Sequence, residues 1–293
     1  MTVIGELKEQ FRKGTNLLKL IYINSAVFIV MAILQIIAVL ANQPGISSSV
    51  VGFLAVPASF SNLILKPWTV ITYMFLHEGF FHILFNMLWL YWFGRIFSDY
   101  FDQKKLVSVY VLGGLSGALF YILSFNIFPA FSQTIHVSIA LGASASVMAI
   151  VIATAVYIPD YSVHLFLLGR VKLKYLALGI FLLTSVFDFS VNTGGKIAHI
   201  GGAVFGYVYA VRYRQGKDTG KWINSLIDTI ATWFKPRQKM KVSYKKTMND
   251  LEYNKMKADH QERINKILEK ISKGGYDSLT KEEKEILFKE GQK

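Results

Sequence analysis

The chain has 293 residues, of which 53% are hydrophobic and only 17% are charged, yet its formal net charge is +13. Soluble globular proteins carry roughly 25% charged residues, and disordered segments are poor in apolar and aromatic residues. A largely disordered chain is therefore excluded, which leaves a basic nucleic-acid binder with a large core or a membrane protein. The chain has no cysteine, and this excludes disulfides, thiolate nucleophiles and Cys-zinc sites.

The distribution of charge favours the membrane protein. Residues 1–211 contain 12 Lys+Arg and 7 Asp+Glu, whereas residues 212–293 contain 20 and 12. The uncharged run Leu20–Ala41 would be about 33 Å long as a helix, enough to cross a hydrocarbon core of about 30 Å. We therefore predict an all-α polytopic membrane protein with six transmembrane helices. Leu20–Ala41 is helix 1. Helices 2 to 6 are predicted, in chain order, at Gly79–Gly94, Leu106–Phe128, Ile139–Ile158, Tyr175–Phe187 and Ile197–Val211.

Basic residues are concentrated in alternate connections between these stretches, and the opposite connections hold only Lys66 and Lys196. This is the positive-inside pattern, and it predicts that both termini are cytoplasmic. The first apolar run is too long for a signal-peptide core and has no clear cleavage site, so no cleavable signal peptide is expected. The basic residues of the cytoplasmic side are Lys8, Arg12, Lys13, Lys19, Arg95, Lys104, Lys105, Arg170, Lys172, Lys174, Arg212, Arg214 and Lys217.

The connection Asn42–Glu78 is long and unusually apolar. It is either partly embedded in the outer leaflet or an ordinary extramembrane loop with a small core of its own.

Polar residues at similar depth interrupt three of the predicted helices. His82 and Asn86 share one face of helix 2 because they are four residues apart. Ser144 is expected about one turn into helix 4, and His199 opens helix 6. Singly, each can be explained by helix packing or by a hydrogen bond within its helix. Together they favour chemistry, since a hydroxyl nucleophile needs a base such as imidazole, and Asn and His side chains can stabilise an oxyanion.

These motifs resemble those of the rhomboid family of intramembrane serine proteases, which carry His-xxx-Asn in helix 2, Gly-x-Ser in helix 4 and Ala-His-xx-Gly-xxx-Gly in helix 6. The matching residues are His82 and Asn86, Gly142 and Ser144, and Ala198, His199, Gly202 and Gly206. In the connection Asn42–Glu78, called the first loop below, Trp68 and His77 also match.

The resemblance implies a Ser-His dyad without a carboxylate, in which Ser144 is the nucleophile and His199 the general base and acid. It implies an oxyanion hole formed by His82, Asn86 and the Ser144 backbone N–H, with Gly142 keeping the backbone close. It also implies that the first loop braces the fold and that helix 5 is a lateral gate. The substrates would be transmembrane proteins, no metal or cofactor is expected, and the location would be the bacterial plasma membrane.

Four positions depart from the family pattern. Thr69 stands where many members have Arg, Ala145 and Ser146 stand where Gly is frequent, and Met148 stands where many members have an aromatic ring. On a helix Ser146 should point about 200° away from Ser144, so it should not replace it.

Three other functions are alternatives to intramembrane proteolysis. A catalytically silent rhomboid-like protein that binds membrane clients remains the main alternative. A transporter would show internal repeats, and none is evident. A soluble Gly-x-Ser-x-Gly hydrolase would need a strand and a sheet around the serine.

The tail is predicted in separate parts. Trp222–Phe234 is either an interfacial amphipathic helix, followed by the basic run Lys235–Lys241, or a linker packed on the tail. A helical hairpin is predicted next. Its first helix is Gln261–Ser272, which Gly274 and Gly275 end, and its second helix begins at a Thr280–Glu283 capping box. Its mixed charge disfavours nucleic-acid binding, and the oligomeric state is left open. The expected domains are residues 1–19, the membrane domain 20–211, a basic linker 212–259 and the extension 260–293.

Overall fold

The structure is a computed structural model that describes residues 3–165, 169–187, 189–190, 192–233 and 249–291. These residues belong to two compact units, which divide between residues 235 and 236. Phe234 and the predicted basic run Lys235–Lys241 lie outside the described residues.

The first unit is mostly helical. Its helices, in chain order, are α1 (Val3–Lys13), α2 (Asn16–Leu40), α3 (Gly45–Leu54), α4 (Phe60–Leu65), α5 (Thr69–Thr72), α6 (Phe80–Tyr100), α7 (Gln103–Ile127), α8 (Ser144–Tyr157), α9 (Leu173–Ser185), α10 (Thr193–Arg214) and α11 (Lys221–Trp233). Two 3₁₀ helices cover Tyr73–Phe75 and Pro129–Phe131. Strand β1 (Val56–Pro57) pairs antiparallel with β2 (Ile139–Ala140), and β3 (Ser162–Leu165) pairs antiparallel with β4 (Gly169–Lys172).

Each of the six predicted apolar stretches overlaps one of the helices α2, α6, α7, α8, α9 and α10. Within the described ranges, α2, α6 and α7 are long and apolar enough to cross a membrane, while α3, α8 and α9 are shorter apolar helices. Helix α10 is long, but its glycines, Lys196 and His199 lower its mean hydropathy. The count of six spans therefore stays a prediction.

The fourth stretch differs from its prediction. Helix α8 begins at Ser144, so the expectation that this serine lies about one turn inside the helix is wrong. Ile139 and Ala140, at the beginning of the predicted stretch, form strand β2 instead. Gly142 adopts a φ of +131°, which a helix cannot contain. A short apolar run does not distinguish strand from helix by its pattern, which is why strand β2 was not predicted.

Close contacts of small residues hold α8 against α10. A Cβ atom at Gly202 would collide with the carbonyl oxygen of Ala145, and one at Gly206 would collide with that of Ala149. The two alanines lie one turn apart, so the two helices touch backbone to backbone over that turn. Two glycines of α7 also contact these alanines, namely Gly113 and Gly117. This packing fixes the helix that carries His199 against the helix that begins with Ser144.

The connection between α2 and α6 is folded and tied to the segment before α8. The Ala58 N–H donates to the Ser138 carbonyl at 3.0 Å, beside the β1–β2 pair. The Asn126 side chain of α7 donates to the Ala58 carbonyl at 2.8 Å. The chain before Ser144 is thus held by the connection between α2 and α6, which is itself held by α7.

The second unit is a helical hairpin of α12 (Asp250–Gly274), a 3₁₀ turn and α13 (Lys281–Glu290). The predicted capping box is confirmed, since the Thr280 hydroxyl accepts from the Glu283 N–H and the Glu283 carboxylate accepts from the Thr280 N–H. Gly275 ends the first helix with a φ of +74°. Helix α12 starts earlier than the predicted Gln261.

Candidate active site

One cavity of about 410 Å³ brings together polar side chains from four helices. Helices α6, α8, α9 and α10 all contribute to its wall, and most of the other lining side chains are apolar. The polar residues contributed by these four helices are His82, Asn86, Ser144, Thr184 and His199.

Ser144 is half-buried and is the first residue of α8. The N–H groups of a first helical turn have no carbonyl acceptor within the helix, and the helix dipole adds partial positive charge there. The first helical hydrogen bond at this end of α8 runs from the Val147 N–H to the Ala143 carbonyl, at 2.9 Å. The backbone beside the Ser144 hydroxyl therefore has N–H groups suited to a developing negative charge.

Gly142 makes the turn that precedes this helix. Its φ of +131° is a conformation that side-chain-bearing residues rarely adopt. A Cβ atom would lie 3.0 Å from His82 Nε2 and 3.5 Å from Ser144 Oγ, so the absence of a side chain leaves His82 close to the serine turn. The Gly142 N–H donates to the Tyr73 carbonyl at 2.9 Å, which fixes the turn on the first loop.

His82 and Asn86 occupy successive turns of α6. The Asn86 side-chain amide donates one hydrogen to the His82 carbonyl at 2.8 Å, and an amide nitrogen carries a second hydrogen. The ring of His77 is buried and meets the ring of His82 edge-on, with centroids 5.1 Å apart. Burial lowers the pKa of His77 to about 4, so the His77 ring is uncharged at neutral pH.

His199 is oriented by a backbone carbonyl. Its Nδ1 lies 3.1 Å from the carbonyl oxygen of Thr184, in the last turn of α9. A carbonyl only accepts, so this bond requires the hydrogen on Nδ1 and leaves the lone pair of the neutral ring on Nε2. Carbonyls at the end of a helix have no partner in it, so this one is available to His199.

Two of the three departures from the family pattern near Ser144, namely Met148 and Ser146, lie on different sides of α8. Met148 lines the cavity, one turn after Ser144. The Ser146 hydroxyl is buried on the other side of α8 and lies 2.6 Å from the position that a Cβ at Gly114 would take. Ser146 does not line the cavity, which agrees with its predicted direction.

Three side chains of the first loop hold the end of α3, where helix carbonyls have no partners within the helix. Lys66 donates to one of these carbonyls at 2.9 Å, Trp68 Nε1 to the next at 2.9 Å, and Thr72 to the third at 2.6 Å. The acceptors are Gly52, Phe53 and Leu54, in that order. Thr69, in place of the usual Arg, is buried and donates to the Lys66 carbonyl. The cationic side chain that binds the end of α3 is therefore Lys66, three residues before the position where many family members have Arg.

A buried polar network holds the 3₁₀ turn that meets Gly142. The Tyr110 hydroxyl of α7 donates to the Met74 carbonyl at 3.0 Å, and the Asn24 amide of α2 donates to the Tyr110 hydroxyl at 3.1 Å. Tyr73 donates to the Gly114 carbonyl of α7. Two long apolar helices therefore support the loop that carries the Gly142 contact.

Comparison with known proteins agrees with this arrangement. The family model described as "Rhomboid domain" matches residues 65–216, which is more than half of the chain and contains all four polar motif residues of the cavity. The chain belongs to the rhomboid family. Rhomboid membership and the apolar helices together make it an integral membrane protein. A second model, "Family of unknown function (DUF6576)", matches residues 247–290, which include the helical hairpin.

Three relatives have been matched at low identity. RHOMBOID-like protein 12, mitochondrial, of Arabidopsis thaliana is 29% identical over 51% of this chain and 47% of its own length. Rhomboid protease AarA of Providencia stuartii is 26% identical over 50% of this chain and 56% of its own length. Rhomboid-like protein 16, chloroplastic, of Arabidopsis thaliana is 26% identical over 51% of this chain and 50% of its own length. The chain thus spans about half the length of the curated relatives it matches.

Sequence reasoning missed the groups that position the site. Lys66 was predicted only as one of two basic residues in the connections opposite the basic ones, although its rarity there was a usable signal. The carbonyls of Tyr73 and Thr184 have no signature in a sequence, because every residue has one.

Proposed function

We propose that this rhomboid is an intramembrane serine endopeptidase that hydrolyses peptide bonds in or near transmembrane segments of other membrane proteins. The observation that carries the proposal is that Ser144, His199, His82 and Asn86 line one cavity. These residues come from three helices that are distant in sequence, and independent packing roles would not require them to share a cavity.

His199 would act through Nε2. With the hydrogen of Nδ1 donated to the Thr184 carbonyl, Nε2 has the lone pair that a general base needs. Ser144 Oγ attacks the carbonyl carbon of the substrate while His199 Nε2 takes its proton. The same imidazolium then protonates the leaving amine as the peptide bond breaks, and a water molecule hydrolyses the acyl-enzyme by the reverse roles. The Thr184 carbonyl takes the orienting place that a carboxylate holds in a triad.

The oxyanion of the tetrahedral intermediate would be stabilised by His82, Asn86 and the Ser144 N–H. The closeness of His82 Nε2 to Gly142, the second hydrogen of the Asn86 amide and the position of Ser144 at the start of a helix support these roles. Removing one such donor costs roughly 10²–10³ in kcat in a known serine protease. His77, Gly142, Gly202, Gly206 and Trp68 would support the site without touching the reacting atoms.

The cavity would open to the outer side of a bacterial plasma membrane, with both chain termini cytoplasmic. The alternation of basic connections supports this orientation. Helix α9 would form the lateral entrance for a substrate helix, and we propose the membrane domain 20–211 as the catalytic part of the chain.

Reconstituted full-length protein and a model transmembrane substrate test the proposal. We expect Ser144→Ala and His199→Ala each to abolish cleavage. The matched controls are Ser146→Ala, whose hydroxyl points away from the cavity, and His136→Ala, in an exposed loop. Cleavage that survives both site substitutions would contradict the proposal. Binding of a membrane client without cleavage by the wild type would favour the silent rhomboid-like alternative.

A further inference from the structure

Helix α11 presents three different faces. Ile223 and Asn224 turn towards the helix bundle, and Ile223 is buried. Trp222 and Leu226 lie together on a second face and are 58% and 47% exposed. The third face is polar and exposed; its members are Lys221, Ser225 and Thr229.

The bundle-facing side is anchored on the beginning of α7. Lys104 forms an ion pair with Asp228 at 2.8 Å, and the Ser108 hydroxyl donates to the Asn224 side-chain oxygen at 2.5 Å. Both α7 residues belong to the first two turns of that helix. Two polar bonds and the burial of Ile223 therefore fix which way α11 is rotated about its axis.

The position of this anchor identifies what meets the exposed apolar face. Helix α7 is long and apolar enough to cross a membrane, and its first two turns lie where such a helix enters the bilayer. A helix held at that level has water on one side and lipid on the other. Trp is favoured at the boundary between headgroups and acyl chains, where its apolar ring and its N–H both find suitable surroundings. The apolar and polar faces of α11 match these two surroundings.

We propose that α11 is an interfacial helix that inserts Trp222 and Leu226 into the bilayer boundary while Asn224 and Asp228 hold it on α7. The occupant of the exposed apolar face is bilayer lipid. This proposal does not depend on the catalytic one, because none of the residues that carry it lines the catalytic cavity.

The natural absence of cysteine makes a direct test available. Leu226→Cys and Ser225→Cys in the full chain each place one thiol, on the apolar and polar faces respectively, for an environment-sensitive fluorophore. The labelled proteins are reconstituted in phosphatidylcholine–phosphatidylglycerol vesicles. We expect phospholipids with a quencher near the headgroup to quench the Leu226→Cys label several-fold more than aqueous iodide does, and the Ser225→Cys label to show the reverse.

Equal access of iodide to both labels would overturn the proposal. Formation of disulfide-linked dimers by the unlabelled Leu226→Cys variant, with no lipid quenching of the labelled one, would overturn it in favour of a second copy of the chain. A second variant guards against disruption by the label. In Leu226→Ser without any label, release of α11 from the bilayer should increase amide exchange of Lys221–Trp233, whereas Thr229→Ser should leave that exchange unchanged. Unchanged exchange in Leu226→Ser would also contradict lipid insertion.

Discussion

His199 Nδ1 lies 3.1 Å from the Thr184 carbonyl oxygen, so the proposed base on α10 is oriented by the last turn of α9. The proposed gate and the proposed base are therefore joined by one hydrogen bond. Any displacement of this end of α9 would change the direction in which Nε2 points.

This bond predicts a difference between the backbone and the side chain of residue 184. The Thr184 hydroxyl donates to the Ile180 carbonyl within α9, whereas the hydrogen bond with His199 uses the Thr184 carbonyl. We expect Thr184→Val to keep its carbonyl in place and to leave kcat unchanged within error in the proteoliposome assay. A loss of kcat as large as that of His199→Ala would show that the side chain, and not the carbonyl, orients the base.

The contact between Gly202 and the Ala145 carbonyl predicts a steric effect. A methyl group at residue 202 has no room, so Gly202→Ala should separate α8 from α10 and cost about 1–3 kcal/mol of unfolding free energy. Because the separation moves His199 away from Ser144, kcat should fall about 10²-fold.

The matched control for this substitution is Gly179→Ala. Apart from its chain neighbours and the backbone of its own helix, no atom lies within 4 Å of the position that a Cβ at Gly179 would occupy. This control should keep both thermal stability in detergent and kcat. Wild-type behaviour of Gly202→Ala would mean that the close approach of the two helices does not position the site.

The network around Tyr110 predicts a loss of stability from the removal of one oxygen atom. Tyr110→Phe leaves the Met74 carbonyl and the Asn24 side chain each without one partner. Interhelical hydrogen bonds in membrane proteins are worth about 1 kcal/mol, so we expect a fall of that size in unfolding free energy in mixed micelles. Tyr91→Phe, at an exposed position of α6, should have no effect. Equal stabilities of the two variants would argue against a role for this network.

The capping box predicts a pH dependence in the second unit. The Thr280 N–H, and then Lys270, hold the pKa of Glu283 below its ordinary value of 4.5. Because the folded pKa is the lower one, the stabilisation is present above pH 4.5 and is lost as the pH falls through the folded value.

Amide exchange of Lys281–Glu290 in the full chain, corrected for intrinsic rates, measures this loss. Protection should decrease as the solution is acidified below pH 4.5. In Glu283→Gln the step should be absent, because the carboxylate has been removed. The same step in both proteins would assign it to another group.

The sequence was sufficient to locate the six apolar helices approximately and to select four polar side chains that line one cavity, because both leave patterns in residue type. Apolar length marked α2 and α7, and spacing marked His82 with Asn86. The start of α8 was misplaced because Ile139 and Ala140 are as apolar in a strand as in a helix. The end of α6 was placed too early because Arg95 and Asp99 interrupt the apolar run while the helix continues.

The groups that orient the site could not be predicted in the same way. The Thr184 and Tyr73 carbonyls are backbone groups, which every residue has, so the residue type does not mark them. Their partners, His199 and Gly142, are not their neighbours in the chain, so the pairing depends on the fold. Lys66 could be counted as a charge, but its contact with the Gly52 carbonyl depends on how the first loop folds.

Ser144 is the proposed nucleophile, and His199 is the base proposed to activate it. The most direct measurement is labelling of the reconstituted protein with a fluorophosphonate, followed by mass spectrometry of the labelled peptide. We predict one adduct on Ser144, absent from Ser144→Ala and from His199→Ala and retained in Ser146→Ala. An adduct on any other residue, or labelling that persists in Ser144→Ala, would contradict the account.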